Sequence, residues 1–85
     1  MEKSIYTREY SVVLRLIREA REKSGITQEQ LAKQLKQTQS FVSKIERGDR
    51  RIDIVQLRTL CRVFGTTLLS FVQKMEAELS SKSSV

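Results

Sequence analysis

The chain contains no proline and only three glycines, and each glycine follows a segment with helical hydrophobic periodicity. Glycine adopts the left-handed backbone conformation without a steric cost, so it is favoured just after the last turn of an α-helix. Gly25, Gly48 and Gly65 are therefore predicted to mark the ends of three helices. No segment keeps the alternating apolar and polar pattern of a β-strand. The chain is thus restricted to short helices.

Polar residues that can cap a helix precede the predicted helices. A Thr or Asp side chain at this place accepts a hydrogen bond from a free backbone N–H, and a Gln three residues later completes a capping box. The capping boxes are Thr27 with Gln30 and Asp53 with Gln56, and the single N-caps are Thr38 and Thr67. Helices are accordingly predicted at about residues 8–24, 28–35, 39–47, 54–64 and 68–79.

These boundaries predict an all-α fold, a compact five-helix domain over residues 8–79. Eighty-five residues suffice for one domain with one modest core, because a chain of this size buries about 60–65% of its unfolded surface. Residues 80–85 have the sequence SSKSSV and offer nothing to bury, so we expect a disordered tail there.

Composition excludes several classes of function. One cysteine and no histidine rule out a disulfide framework and a histidine-based metal site, and make a hydrolytic triad implausible. We expect no enzymatic activity, no cofactor and no metal, and we expect Cys61 to be a small buried side chain. No apolar run is long enough to span a bilayer and the N-terminus lacks a signal-peptide core, which predicts a cytoplasmic protein.

Positive charge is concentrated in one part of the chain. The formal net charge is +6, and residues 36–62 hold seven Lys and Arg residues against three Asp and Glu residues. Such a cluster is typical of proteins that bind polyanions, but it does not distinguish between DNA, RNA and an anionic membrane. Peripheral membrane binding through a basic amphipathic helix fits poorly, because the charges are spread over several predicted helices.

The third predicted helix has one polar and one apolar side. At about 100° per residue its polar residues share a single arc, and its apolar residues lie opposite. The polar arc contains Gln39, Ser40, Ser43, Lys44 and Arg47, and the apolar side contains Phe41, Val42 and Ile45. Amides, hydroxyls and cations together match base edges flanked by phosphates. A solvated face with no ligand is the alternative.

The second and third predicted helices are joined by a tight turn, since only Lys36 and Gln37 precede the Thr38 cap. Two short helices joined in this way, the second one basic, form a helix-turn-helix. Here the sequence resembles the Cro/repressor-type (XRE) helix-turn-helix family. The resemblance keeps one register over roughly residues 13–72. Its segments are IREAREKSGITQ (17–28), EQLAKQL (29–35), QSFVSKIERG (39–48) and LRTLCRVFG (57–65).

The resemblance implies which residues contact DNA. The positions that match those facing the major groove are Gln39, Ser40, Ser43 and Lys44, and the position that matches a phosphate contact is Gln28. Gln39 suits adenine and Lys44 suits guanine. The arginines expected to contact phosphates, at and beyond the end of the third helix, are Arg47, Arg50 and Arg51.

The resemblance also implies structural roles. Its buried positions match Leu31, Leu35, Val42 and Ile45, and its small residue between the two helices matches Ala32. Arg21 and Glu46 match a pair that often forms a structural salt bridge, and two independent surface charges are the alternative. Lys36 stands where the family often has glycine, so a left-handed backbone there costs about 1 kcal/mol or more. Ile52 replaces a frequent proline, and Phe41 is expected to be half-buried.

The expected function is a sequence-specific transcriptional regulator of double-stranded DNA. We expect a repressor that acts as a homodimer on a palindromic operator, with half-sites about 34–36 Å apart. The apolar stripe of the fifth helix continues to Met75 and Leu79, which favours dimerisation through residues 68–79. The alternative is that this helix folds back on the first, over Ile5, Tyr6 and Tyr10.

A second function remains open at this point. An antitoxin or adaptor would use the same fold mainly to bind a protein partner, and its third helix would need no polar arc. DNA binding would instead associate a cytoplasmic protein with the nucleoid.

Overall fold

The computed structural model describes the backbone of residues 7–83 and the side chains of residues 7–80. Within that range it contains five α-helices and no strand. The helices are α1 (Arg8–Lys23), α2 (Gln28–Leu35), α3 (Gln39–Arg47), α4 (Ile54–Val63) and α5 (Leu68–Ser83). The predicted all-α, five-helix fold is confirmed.

Each helix begins at a capped backbone. The hydroxyl of Thr27 accepts from the backbone N–H of Gln30 at 3.1 Å, and the Gln30 side chain accepts from the N–H of Thr27 at 2.9 Å. Asp53 and Gln56 form the same reciprocal pair. The predicted capping boxes are therefore confirmed. The remaining helices are capped by the hydroxyls of Thr7, Thr38 and Thr67.

The turn between α2 and α3 contains the one non-glycine residue with a positive φ among the described residues. Lys36 has φ 59° and ψ 42°, which is the left-handed conformation. The family resemblance had raised this conformation, because the family often has glycine at this position. The following residue, Gln37, donates its backbone N–H to the Ala32 carbonyl at 2.9 Å, which closes the last turn of α2. An L-residue is sterically strained in this conformation. The tight turn is therefore made at a cost in stability.

The last helix is longer than the sequence predicted. α5 continues to Ser83, so residues 80–83 are helical and their assignment to a disordered tail is wrong. The reason is that the sequence after Leu79 contains no glycine or proline to end the helix. Residues 84 and 85, the rest of the predicted tail, lie outside the described residues.

One hydrophobic core is shared by all five helices. Its most buried side chains, each at most 1% exposed, are Ile17, Leu31, Val42 and Cys61. Burial raises the pKa of the Cys61 thiol, which agrees with the small buried side chain predicted from sequence. Ala32 and Ile45 are also buried, whereas Leu35 is only half-buried. Leu35, the last residue of α2, packs against the core and also lines an open groove.

The apolar stripe of α5 is used within the monomer. Phe71 is buried, and Met75 and Leu79 are half-buried against the core. An ion pair between Arg15 of α1 and Glu78 of α5, 3.0 Å between Nη2 and Oε2, links the same two helices. The arrangement resembles the folding back that was the alternative to dimerisation through this helix. Ile5 and Tyr6, which that alternative placed beneath α5, lie outside the described residues.

Candidate nucleic-acid interface

The α2–turn–α3 unit exposes one side of α3. Leu31 and Ala32 of α2 and Val42 and Ile45 of α3 are buried, and α2 packs directly against α3. Their burial fixes the rotation of α3 about its own axis. The opposite side of α3 must therefore face away from the core, because residues of one helix keep fixed angular positions.

Most of the predicted base-contacting residues lie on that outer side. Gln39, Ser40 and Lys44 are exposed, and their side chains make no hydrogen bond to another described residue. Ser43 differs, because it is half-buried and its hydroxyl accepts a hydrogen bond from Nη1 of Arg47 at 3.0 Å. Three of the four residues thus offer free donors and acceptors to a ligand.

Arg47 lies along the surface of α3 instead of extending into solvent. Besides its bond to Ser43, its Nε lies 2.9 Å from Oδ2 of Asp49. Asp49 neutralises part of the positive charge at this point. A phosphate at Arg47 would therefore compete with a carboxylate that is already in place.

Two other predicted phosphate contacts lie against aromatic rings. The guanidinium of Arg50 lies 4.7 Å from the ring centroid of Phe41, and that of Arg51 lies 4.8 Å from the ring centroid of Tyr10. The Tyr10 hydroxyl also accepts from the backbone N–H of Ile52 at 3.3 Å. These contacts hold the loop between α3 and α4 against α1 and α3, and they keep both cations at the surface. Sequence analysis missed them.

Arg21 and Glu46 lie together at the inner edge of the interface. Nε of Arg21 is 2.6 Å from Oε2 of Glu46, and Nη2 is 3.3 Å from Oε1. Nη1 of Arg21 donates to the Ile26 carbonyl at 2.8 Å. Only 12% of the Arg21 side chain and 5% of the Glu46 side chain are exposed. This pair joins α1 to the last turn of α3.

Gln28, the phosphate contact implied at the start of α2, belongs to the same network. Its amide nitrogen donates to Oε1 of Glu46 at 3.0 Å. Gln28 is the first residue of α2, and the first N–H groups of a helix have no partner within the helix. The residue can therefore hold Glu46 with its side chain and present its backbone N–H to an anion.

The surface near the exposed side of α3 is positively charged. The carboxylate of Glu46 is bound to Arg21, and that of Asp49 to Arg47. Lys44, Arg50 and Arg51 remain exposed. A positively charged protein surface of this kind attracts anions before they make contact.

Among residues 7–83, no cluster of His, Cys, Asp and Glu suits a metal ion. No helix of that part has the length and apolarity needed to cross a membrane.

The chain is similar to known helix-turn-helix proteins. The Helix-turn-helix family matches residues 17–71. An XRE-family like protein from Pseudomonas syringae pv. tomato str. DC3000 has a similar structure, with a TM-score of 0.81 and 41% sequence identity. The similarity covers 88% of this chain and 92% of that chain. No curated protein matches this sequence.

Proposed function

This chain belongs to the XRE-type helix-turn-helix family of DNA-binding regulators, and on that premise we propose that it binds a specific sequence of double-stranded DNA as a transcriptional repressor. The family is typically not enzymatic. The observation that carries the proposal is the exposed part of the polar arc of α3: Gln39, Ser40 and Lys44 are exposed while the opposite side of the helix is fixed in the core.

α3 has the dimensions and the chemistry for the major groove. A B-form major groove is about 12 Å wide and admits one α-helix. Gln39 and Ser40 lie at the N-terminal end of α3, the end that helix-turn-helix proteins bring to base edges. The Gln39 amide pairs with adenine, the Lys44 ammonium donates to guanine, and the hydroxyls of Ser40 and Ser43 accept more than one base.

Phosphate contacts flank the arc. We infer that the backbone N–H of Gln28 and the guanidinium groups of Arg50 and Arg51 bind the DNA backbone, and that Arg47 joins them by exchanging Asp49 for a phosphate. The aromatic rings beneath Arg50 and Arg51 reduce the freedom that these side chains lose on binding. These contacts set affinity and register.

The regulator acts as a homodimer on a palindromic operator. One recognition helix contacts only a few base pairs, and two copies related by a two-fold axis double the length of sequence that is recognised. A bound dimer represses by occupying a promoter. DNA binding places the protein at the nucleoid of the cytoplasm.

Selection from randomised duplex DNA tests the function. The full chain is incubated with the library, the bound duplexes are sequenced, and affinity for the selected site is compared with affinity for an unrelated duplex of equal length. We expect a short inverted repeat and a specificity ratio of about 10³ or more. Recovery of no common sequence, with equal affinity for both duplexes, would contradict sequence-specific binding.

A further inference from the structure

An open apolar groove lies beside the recognition helix, between α3 and α4. It has a volume of about 170 Å³. Its apolar walls are Leu35 of α2, Phe41 and Ile45 of α3, and Val55 and Leu60 of α4. An engineered cavity of about 150 Å³ holds one benzene ring. The groove is therefore large enough for one large apolar side chain and too small for a typical cofactor.

Two apolar side chains at the start of α4 are exposed to solvent, and one of them lines the groove. Val55, which lines the groove, is 69% exposed, and the preceding residue Ile54 is 65% exposed. Single exposed apolar residues are common, but adjacent ones beside an apolar groove are typical of an interaction site. The core does not use them.

The rim of the groove is positively charged. Lys36 is exposed and lies between the lining residues Leu35 and Gln37 in the sequence. Arg50 lies over the ring of Phe41, which forms one wall. Neither of these two cations forms an ion pair with another described residue. The residues that line the groove include no Asp or Glu.

We propose that this groove is the docking site for an acidic amphipathic helix of a partner protein. One large apolar side chain of the partner enters between Phe41, Val55 and Leu60, and carboxylates on either side of it meet the cationic rim. An apolar groove beside charged side chains is the usual recognition surface for an amphipathic helix. A second copy of this chain is disfavoured as the occupant, because it would bring two cationic rims together.

Docking of the partner also affects DNA binding, a consequence that rests on the proposed function. Arg50 belongs both to the rim of the groove and to the phosphate contacts, so a partner carboxylate and a DNA phosphate cannot occupy its guanidinium in the same way at once. The acidic helix therefore weakens DNA binding. Binding of the partner protein thereby regulates the repressor activity of this chain.

The docking is tested with a synthetic probe and the full chain. The probe is a fluorescent helical peptide with leucine at every third or fourth position and glutamate elsewhere, and the comparison peptide has lysine in place of glutamate. Fluorescence anisotropy measures both affinities. We expect the acidic peptide to bind and the lysine peptide to show no saturable binding. Equal binding of the two peptides would overturn the charge complementarity on which the proposal depends.

The chain offers a matched pair of variants. Val55 and Leu69 are each the second residue of a helix and each 69% exposed, but only Val55 lines the groove. Aspartate is tolerated in the first turn of a helix, so both proteins should fold. We expect Val55→Asp to weaken the acidic peptide at least about tenfold and Leu69→Asp to leave it nearly unchanged. Equal losses would indicate a general effect of charge and overturn the proposal.

A second pair tests the rim, and two further measurements separate the competing explanations. Lys36→Ala should weaken the acidic peptide more than Arg18→Ala, which removes an equal charge from the exposed side of α1. If the peptide does not bind but Val55→Asp abolishes self-association in sedimentation, a second copy occupies the groove and the proposal is wrong. If the peptide binds and does not displace a bound duplex, the competition for Arg50 is refuted and the docking site stands. Failure of every duplex to bind would refute the proposed function alone.

Discussion

The guanidinium of Arg21 binds the carboxylate of Glu46, with Nε 2.6 Å from Oε2, although the two residues are 25 positions apart in the chain. The pair joins the end of α1 to the last turn of α3. The carboxylate is further held by Gln28, and Arg21 by the Ile26 carbonyl. The orientation of α3 towards a ligand therefore depends on a buried ionic contact as well as on apolar packing.

Removal of either partner should destabilise the domain strongly. Arg21→Ala leaves the carboxylate of Glu46 buried without its cation, and Glu46→Ala does the reverse, so each should cost about 3 kcal/mol of unfolding free energy. The double variant should cost less than the sum of the two single variants, because no unpaired charge remains. Urea unfolding measures all three values.

A more exposed ion pair, between α1 and α5, provides the control for this cycle. Arg15 pairs with Glu78 across α1 and α5, but its side chain is 37% exposed and that of Glu78 is 32% exposed. The same cycle on Arg15 and Glu78 should give a coupling energy of about 1 kcal/mol or less. Strict additivity of Arg21→Ala and Glu46→Ala would show that their contact contributes nothing to folding.

Replacement of Lys36 by glycine should stabilise the protein. Lys36 is in the left-handed conformation at φ 59°, which costs an L-residue about 1–2 kcal/mol. Glycine removes this strain but loses more conformational freedom on folding, so the expected net gain is about 0.5–1 kcal/mol. Thermal or urea unfolding measures it. Lys33→Gly, inside α2, is the control and should destabilise by about 1 kcal/mol; a loss of stability in both variants would show that Lys36 is not strained.

The ends of the helices could be predicted from the sequence wherever an end has its own local signal. Gly25 and Thr27, or Gly48 and Asp53, are recognisable without knowledge of the rest of the fold. The C-terminal end of α5 has no such signal, and there the prediction failed. The helix boundaries of this chain therefore depend on local sequence signals, and the prediction failed at the end of α5, where such a signal is missing.

The candidate site was predictable only in part. The exposure of Gln39 and Lys44 follows from the angular position of each residue relative to buried Val42 and Ile45. The stacking of Arg51 on Tyr10 joins residues from distant segments, and no periodicity in the sequence indicates it.

Pairing of Arg47 with Asp49 was also not predicted. Nearby charges often remain apart in solvent, so their spacing does not predict a contact. Contacts of this kind depend on side-chain conformations that only the folded structure fixes.

Affinity for duplex DNA should fall steeply with salt concentration. If Arg47, Arg50 and Arg51 of each subunit neutralise one phosphate each, a dimer releases the counterions of six phosphates. The logarithm of the binding constant should then fall with the logarithm of salt concentration with a slope of about −5. Fluorescence anisotropy should measure the affinity between about 50 and 200 mM salt, because the effect is large in this range. A slope near zero would contradict phosphate binding by the arginines.

The polar arc of α3 and the arginines beyond it should respond differently to substitution. Gln39 and Lys44 are exposed and free of hydrogen bonds to other described residues, which leaves their donors and acceptors available to base edges. Gln39→Ala or Lys44→Ala should cost about 1–3 kcal/mol on the selected site and relax the preference at particular base positions. Affinity for an unrelated duplex should change much less. Single-base variants of the selected site identify the positions affected.

Arg50→Ala is the comparison, because the guanidinium lies over Phe41 at the loop and not on the arc. It should weaken all duplexes to a similar degree and reduce the salt slope by about one unit per lost phosphate contact. Both sets of variants are measured on the selected site, its single-base variants and an unrelated duplex. If Gln39→Ala and Lys44→Ala instead lower every affinity equally and leave base preferences intact, the arc is an electrostatic surface. Sequence recognition by α3 would then be refuted, while binding of the DNA backbone by the arginines would stand.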